Sequence, residues 1–339
     1  MHILRWLACL LLVMPAASQT PPPPAAEPMD EVLVTGEFPG PGLWKVTRPG
    51  DDAHVLWIVG DPWPLPKKMK WKSRDIEAKA LAAQEILLDV GFTMKPDEDI
   101  GFFRGMTYLP AMLKARRNPD EAKLQDVLPP ELYARWLFQK QRYLGRESGV
   151  EKWRPLFAAD KLRKAAFDEL DMREGGAVAE VVQGLIRKHK LKVNAPQLAF
   201  TFKRSELRDR IREFSRESLA DQECFATTLA LTEALAHREV ENERARAWAR
   251  ADLERLAALP ELPNPYLSCV MAVMNAQVAR DLVPSDVREQ ATARWLEAVD
   301  QSLASNAATF AVVSLGKLTR PEGYLDALRA RGYAVEPPG

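Results

Sequence analysis

Several residue types and motifs that often reveal a protein's chemistry are scarce or missing in this sequence. It contains four histidines and three cysteines among 339 residues. No HExxH zinc motif, GxSxG nucleophile elbow, phosphate-binding loop or dinucleotide fingerprint occurs in it. His54, His189 and His237 are not paired with one another at helical spacing. The local signatures of zinc proteases, serine hydrolases and nucleotide-binding enzymes are therefore excluded.

Long apolar runs and an excess of one charge are missing as well. The 47 basic and 47 acidic residues balance, so no global positive field attracts nucleic acid or anionic lipid. The apolar stretch Trp6–Met14 is too short to span a bilayer. It follows a basic start and precedes the small residues 16–18, which is typical of a signal peptide cut between Ser18 and Gln19. We expect a periplasmic or secreted protein without a transmembrane segment in the mature chain and without a nucleic-acid partner.

The sequence predicts three parts: a signal peptide over residues 1–18, a disordered leader over 19–30, and one domain over 31–339. Four consecutive prolines in the leader favour extended, poorly packed backbone. The box Val32-Leu33-Val34 at the start of the domain has two interpretations. It is an edge strand, or it engages TonB as an accessory of outer-membrane uptake, although no transporter barrel follows it.

The stretch from Leu43 to Pro66 predicts a β-hairpin that forms one wall of a functional site. Two runs rich in Val, Ile and Trp flank a Pro-Gly-Asp-Asp turn. The second run, Val55–Val59, suits a strand buried on both faces and ending at Gly60. A proline-rich loop then leaves its carboxyl end, where open α/β sheets place their sites.

Further buried strands are predicted near both ends of the chain, at Glu85–Val90, Phe310–Ser314 and Tyr333–Glu336. Residues from about 100 to 305 follow helical patterns, with one alternating segment, Gln197–Lys203, that favours an edge strand or hairpin arm. The two ends must therefore meet in one sheet. We predict an α/β fold with a central mixed β-sheet built from N- and C-terminal strands and a large helical middle region.

Two cysteines, Cys224 and Cys269, remain after the predicted signal peptide. In an oxidising compartment such a pair is expected to form one disulfide. The alternative, a redox-active or metal-binding pair, lacks the close spacing that such sites use.

Three segments resemble the TraB/GumN family, which includes the Tiki-type metalloproteases. The opening hairpin matches through Leu43–Val46 and Val55–Gly60, and the closing motif matches through Thr309–Val313 and Gly323–Val335. The segment Glu243–Trp248 resembles the family's Arg-Asn-x-x-Trp-like helix, with alanine in place of the asparagine. The resemblance spans roughly residues 32–337.

The resemblance implies a metal site that this chain has altered. Members with the full pattern carry two Gly-x-x-His motifs and an acidic residue, taken to hold a divalent metal for hydrolysis. Trp63 and Lys317 stand at the two histidine positions here, Ser314 at the second motif glycine, and Asp89 at the acidic position. An indole nitrogen is only a donor, and an ammonium repels a cation. We expect no metal or other cofactor, and an ion pair of Lys317 with Asp89 or Asp61.

The resulting hypothesis is an exported, non-catalytic relic of a metal-dependent hydrolase fold. It would bind a peptide, polymer or protein partner in a cleft formed by Gly60, Asp61, Trp63, Ser314 and Lys317. The alternative is a divergent hydrolase or protease, with or without metal, that uses Asp61, Asp89 and His54. Arg244 is a further catalytic candidate for that alternative.

Overall fold

The computed structural model describes residues 40–338, apart from the side chains of residues 102–104 and 238. The predicted signal peptide, the leader and the Val32-Leu33-Val34 box lie outside the described residues. No helix in the described range is long and apolar enough to cross a bilayer.

The core of the fold is a mixed six-stranded sheet with the strand order β5-β3-β7-β2-β1-β8. Strands β5, β3, β7 and β2 run parallel, whereas β1 and β8 run antiparallel to their neighbours. Strand β4 pairs with β6 in a separate two-stranded parallel sheet. The predicted α/β fold is confirmed. The strands are β1 Leu43–Thr47, β2 Val55–Asp61, β3 Glu85–Leu88, β4 Gly91–Pro96, β5 Val193–Asn194, β6 Gln197–Phe202, β7 Ala308–Ser314 and β8 Ala334–Glu336.

The α-helices fill most of the chain between β4 and β7 and cover both faces of the large sheet. They are α1 Arg74–Ala82, α2 Phe102–Ala115, α3 Leu124–Val127, α4 Pro130–Tyr143, α5 Pro155–Glu169, α6 Ala177–His189, α7 Leu207–Arg216, α8 Gln222–Leu235, α9 Arg238–Ala249, α10 Leu253–Ala258, α11 Pro265–Met274, α12 Gln277–Arg280, α13 Val287–Ser305, α14 Leu315–Thr319 and α15 Tyr324–Ala330.

Successive residues of the parallel strands enter different layers of the core because side chains of a strand alternate between its two faces. Ile58 of β2 belongs to a buried cluster with Val299 of α13, and this face is also covered by α15. The next residue, Val59, belongs to the other cluster with Val178 of α6 and Trp248 of α9. The sheet is therefore buried on both sides, as the apolar run in β2 predicts.

Two predicted segments differ in detail from the structure. Strand β2 continues through Gly60 to Asp61, because pairing with β7 extends to Asp61 opposite Ser314. The helical middle region contains β5 and β6, of which β6 confirms a strand in the alternating segment. The predicted disulfide is present between Cys224 of α8 and Cys269 of α11, with an S–S distance of 2.03 Å.

Candidate functional site

The carboxyl ends of three neighbouring parallel strands bring the predicted site residues to one edge of the sheet. Asp61, the last residue of β2, lies opposite Ser314, the last residue of β7. Strand β3 pairs with the other side of β7 and ends one residue before Asp89. The two ends of the chain therefore meet as predicted, and they do so at the edge where open α/β folds place their sites.

Gly60 allows the chain that follows β7 to cross β2 closely. A Cβ atom at Gly60 would lie 2.5 Å from Cδ1 and 3.2 Å from Cα of Leu315. The Gly60 carbonyl accepts a hydrogen bond of 2.9 Å from Nε1 of the buried Trp248. Trp248 thus holds helix α9 against the end of β2. This is a structural role for the tryptophan of the segment Glu243–Trp248, which resembles the family's Arg-Asn-x-x-Trp-like helix.

Asp89 lies at the centre of a closed hydrogen-bond network. Its Oδ2 accepts from Nζ of Lys317 at 2.9 Å. Its Oδ1 accepts from the hydroxyl of Tyr324 at 2.7 Å and from the backbone N–H of Val90 at 2.8 Å. The sequence predicts an ion pair of Lys317 with either Asp89 or Asp61, and in the structure the ammonium of Lys317 pairs with Asp89.

Tyr324 is a member of this site that sequence reasoning missed. Its ring stacks on Trp295 with centroids 4.1 Å apart and an interplanar angle of 10°. Burial and the neighbouring Asp89 carboxylate raise the pKa of the phenol above its ordinary value. The hydroxyl therefore stays protonated and acts as the hydrogen-bond donor to Asp89. Its position directly after Gly323 in the closing motif was the signal available in the sequence.

Asp61 is buried in a different environment, at the N-terminus of helix α6. Its carboxylate accepts hydrogen bonds from the backbone N–H groups of Val178 at 3.3 Å and Ala179 at 2.8 Å. A Cβ atom at Gly176 would lie 1.9 Å from Oδ2 of Asp61, so glycine is required at that position. Burial raises the pKa of Asp61 to about 6, against the opposing effect of the backbone donors and of Arg173. The carboxylate therefore caps the helix.

The two acidic candidates make their hydrogen bonds on opposite faces of the sheet. The partners of Asp61 belong to α6, which covers one face together with α1 and α9. The side-chain partners of Asp89 belong to α14 and α15, and the buried residues of these helices lie in the cluster on the other face. The structure brings each carboxylate to the sheet edge but does not join them in one network.

Trp63 anchors the loop after β2 to the helical region. Its Nε1 donates to the carbonyl oxygen of Glu174 at 3.1 Å, and its ring packs on Phe167 at a centroid distance of 5.4 Å. None of its hydrogen bonds or ring contacts within residues 40–338 involves Lys317 or Asp89. The two positions at which the resemblance places histidines therefore have separate surroundings in this chain.

His54 and Arg244 lie away from the edge network. His54 precedes β2 and its Nδ1 lies 3.0 Å from Oδ2 of Asp51. His54 and Asp61 are seven positions apart, which corresponds to about 23 Å along a strand. Arg244 of α9 donates to the carbonyl of Pro260, beyond α10. The structure does not bring either residue to the Asp89 network.

The residues at the expected metal positions do not fit a divalent cation. Lys317 already supplies a positive charge to Asp89 at 2.9 Å. Trp63 uses its N–H as a donor, and an indole has no lone pair to give to a metal. No group of three His, Cys, Asp or Glu side chains suitable for a metal occurs within the described range.

A pocket of about 450 Å³ opens beside the capped end of helix α6. Its lining includes Lys67, Arg173, Glu174 and the backbone of Gly175 and Gly176, and Asp61 lies directly behind Gly176. Arg173 donates to the carbonyl of Lys67 at 2.9 Å, which connects the loop after β2 with the entrance to α6. The pocket therefore combines both signs of charge with exposed backbone next to the cleft predicted around Asp61.

Comparison with known proteins supports the resemblance. No curated protein and no solved structure matches the chain significantly. A family model described as the TraB/PrgY/gumN family matches residues 42–337. This range runs from the residue before β1 to the residue after β8 and includes every element of the sheet-edge network. Because the match covers nearly the whole chain, the protein belongs to the TraB/PrgY/gumN family.

Proposed function

We propose that this protein is a non-catalytic member of its family that binds a peptide, polymer or protein partner at the carboxyl edge of its sheet. The observation that carries the proposal is the contact of 2.9 Å between Lys317 and Asp89. An ammonium at this place supplies the positive charge that a bound metal would supply to the acidic residue. It neither polarises a substrate as a Lewis acid nor activates a bound water.

The pocket at the start of α6 is the proposed binding surface. Lys67 pairs with Asp168 and Arg173 with Glu180, which also lines the pocket, while Glu174 pairs with Arg163. The lining therefore carries both signs of charge in ion pairs, and Gly175 and Gly176 add backbone without side chains. Such a mixture complements a polyamide, whose backbone forms hydrogen bonds and whose side chains carry both signs of charge. A peptide is therefore the class of ligand that we expect first.

The proposed location is the periplasm or the extracellular space. The pattern of residues 1–18 supports export, and the Cys224–Cys269 disulfide is of the kind that forms in oxidising compartments. Cell fractionation, combined with N-terminal sequencing of the protein from the periplasmic fraction, tests this location. Recovery of the uncleaved chain from the cytoplasm alone would refute it.

The loss of catalysis is tested by metal analysis and a peptidase assay. The full chain is purified without chelator and measured by plasma mass spectrometry and for hydrolysis of casein peptides. We expect neither stoichiometric zinc nor manganese and no hydrolysis above that of the Asp89→Ala variant. Metal at one equivalent, with hydrolysis that is lost both on chelation and in Asp89→Ala, would establish the hydrolase alternative instead.

Binding is tested with fluorescently labelled tryptic peptides of casein as the probe. Gln183 lines the pocket and is exposed, so Gln183→Trp should fill the entrance and weaken binding about tenfold. The matched control is Gln301→Trp, which places the same ring on an exposed position of α13. Equal weakening by both variants, or no binding to the wild-type protein, would argue against this pocket.

A further inference from the structure

Helix α2 exposes more large apolar side chains than any other helix with described side chains. Met106, Leu109, Met112 and Leu113 are 52%, 43%, 58% and 48% exposed. The other helices of the described chain expose at most two large hydrophobic side chains each. Contiguous apolar surface of this kind on a folded protein marks a site of interaction with another protein, a membrane or a ligand.

The helix beside it gives this surface a positive charge. Helix α2 packs against α7, and together their sequences carry six basic and two acidic residues. Two of these cations are paired, Arg210 with Glu206 and Asp281, and Arg212 with Asp209. Lys114 on α2 and Arg208 and Arg216 on α7 are exposed. None of the three has a carboxylate partner among the described residues. The neutral total thus hides a local positive surface.

We propose that α2 docks onto an anionic lipid surface, with its apolar side chains inserted at the level of the headgroups and the cations of α2 and α7 against the phosphates. Interfacial helices combine an apolar face with lysine and arginine in this way. Each cation near an anionic bilayer adds attraction that falls off within a Debye length. A second copy of the chain fits less well, because a symmetric contact through α2 would bring two sets of unpaired cations together.

Flotation of the full chain with phospholipid vesicles tests the proposal. We expect it to float with equimolar phosphatidylglycerol and phosphatidylcholine, and to bind less to phosphatidylcholine alone or at high salt. The double variant Met112→Glu, Leu113→Glu should lower the bound fraction about tenfold, because it puts two charges into the inserted face. Lys114→Glu should weaken binding about fivefold through the reversed charge.

The matched control is Leu137→Glu, Phe138→Glu, which changes an exposed apolar pair on α4 in the same way. It should float as the wild type does. An equal loss in both double variants, or no flotation of the wild type, would overturn the proposal. A dimer in light scattering that Met112→Glu, Leu113→Glu abolishes would also overturn it, because it assigns the face to a second copy. So would amide protection of α2 that disappears when residues 19–39 are deleted, because it assigns the face to this acidic N-terminal segment of the chain.

Discussion

Lys317 and Asp89 lie 228 positions apart in the sequence and meet in an ion pair of 2.9 Å at the carboxyl edge of the sheet. The pairing of β3 with β7 brings them together, since each residue follows the end of one of these parallel strands. The side chains of Lys317 and Asp89 are 31% and 24% exposed, so the pair is neither fully solvated nor buried. Through this contact the Lys317 ammonium, and not an external cation, balances the Asp89 carboxylate at the sheet edge.

A double-mutant cycle on this pair should show strong coupling. Lys317→Met leaves the Asp89 carboxylate without its cation and should lower the free energy of unfolding by roughly 1–2 kcal/mol, between the values of surface and buried pairs. In the background of Asp89→Asn the same change should cost less, with a coupling energy of about 1 kcal/mol. Urea denaturation of the four proteins measures it. Additive effects would show that the contact contributes nothing.

Gly176→Ala should destabilise the protein, whereas Gly175→Ala should not. A methyl group at Gly176 would clash with Oδ2 of Asp61, and relieving that clash should cost about 2 kcal/mol. Apart from Gly175 itself and its two chain neighbours, no heavy atom of the described residues lies within 4 Å of the corresponding atom at Gly175. Thermal unfolding of both variants gives the comparison. In the background of Asp61→Ala the cost of Gly176→Ala should disappear, and its persistence there would mean that another contact requires the glycine.

Reduction of the Cys224–Cys269 disulfide should lower the melting temperature. The bond closes a loop with a sequence separation of 45, and releasing it should cost about 4 kcal/mol on the chain-entropy model. Calorimetry with and without dithiothreitol measures the change. A variant with both cysteines replaced by alanine is the control, and the reductant should leave its melting temperature unchanged. A wild-type melting temperature that does not respond would show that the bond is absent in solution.

The fold could be predicted from local patterns because burial on both faces leaves a recognisable apolar run. Val55–Val59 and Phe310–Ser314 each lie within one parallel strand, and helix α6 lies within the predicted helical region. The pairing of the chain ends followed from the same reasoning, since buried strands need neighbours. These features depend on residues close in sequence and on the general rules of sheets.

The arrangement of the candidate site depended on contacts that no local pattern contains. The sequence ended β2 at Gly60, whereas pairing with Ser314 extends the strand to Asp61. Since side chains alternate along a strand, this extension gives Asp61 the same face as Val59, towards α6. The partners of Trp63 and Asp89 are also distant in sequence, since Glu174 and Tyr324 lie 111 and 235 positions away. A pattern that locates the sheet edge does not show which face a residue at that edge will occupy.

Stability should fall as the pH rises from about 4.5 to about 7, and Glu241 should be a principal cause. Glu241 is 4% exposed, and neither carboxylate oxygen has a hydrogen-bond partner among the described residues. Burial raises its pKa to about 7, although Arg244 opposes the shift. In the unfolded chain the pKa of Glu241 is its ordinary value of 4.5. Between pH 4.5 and about 7 the folded state therefore holds a proton on Glu241 that the unfolded state has released. Rising pH therefore removes about 3 kcal/mol of stability through this group.

Glu241→Gln separates this effect from other titrations. The amide stays neutral, so the variant should be more stable than the wild type at about pH 8 and similar to it at about pH 5. Asp61, whose pKa burial raises to about 6, adds a slope of the same sign, so the variant should flatten the profile without removing it. Denaturant unfolding across this range measures both curves. An equal loss of stability at both ends would mean that Glu241 is needed as a carboxyl group in either protonation state, and that its ionisation is not what limits stability at high pH.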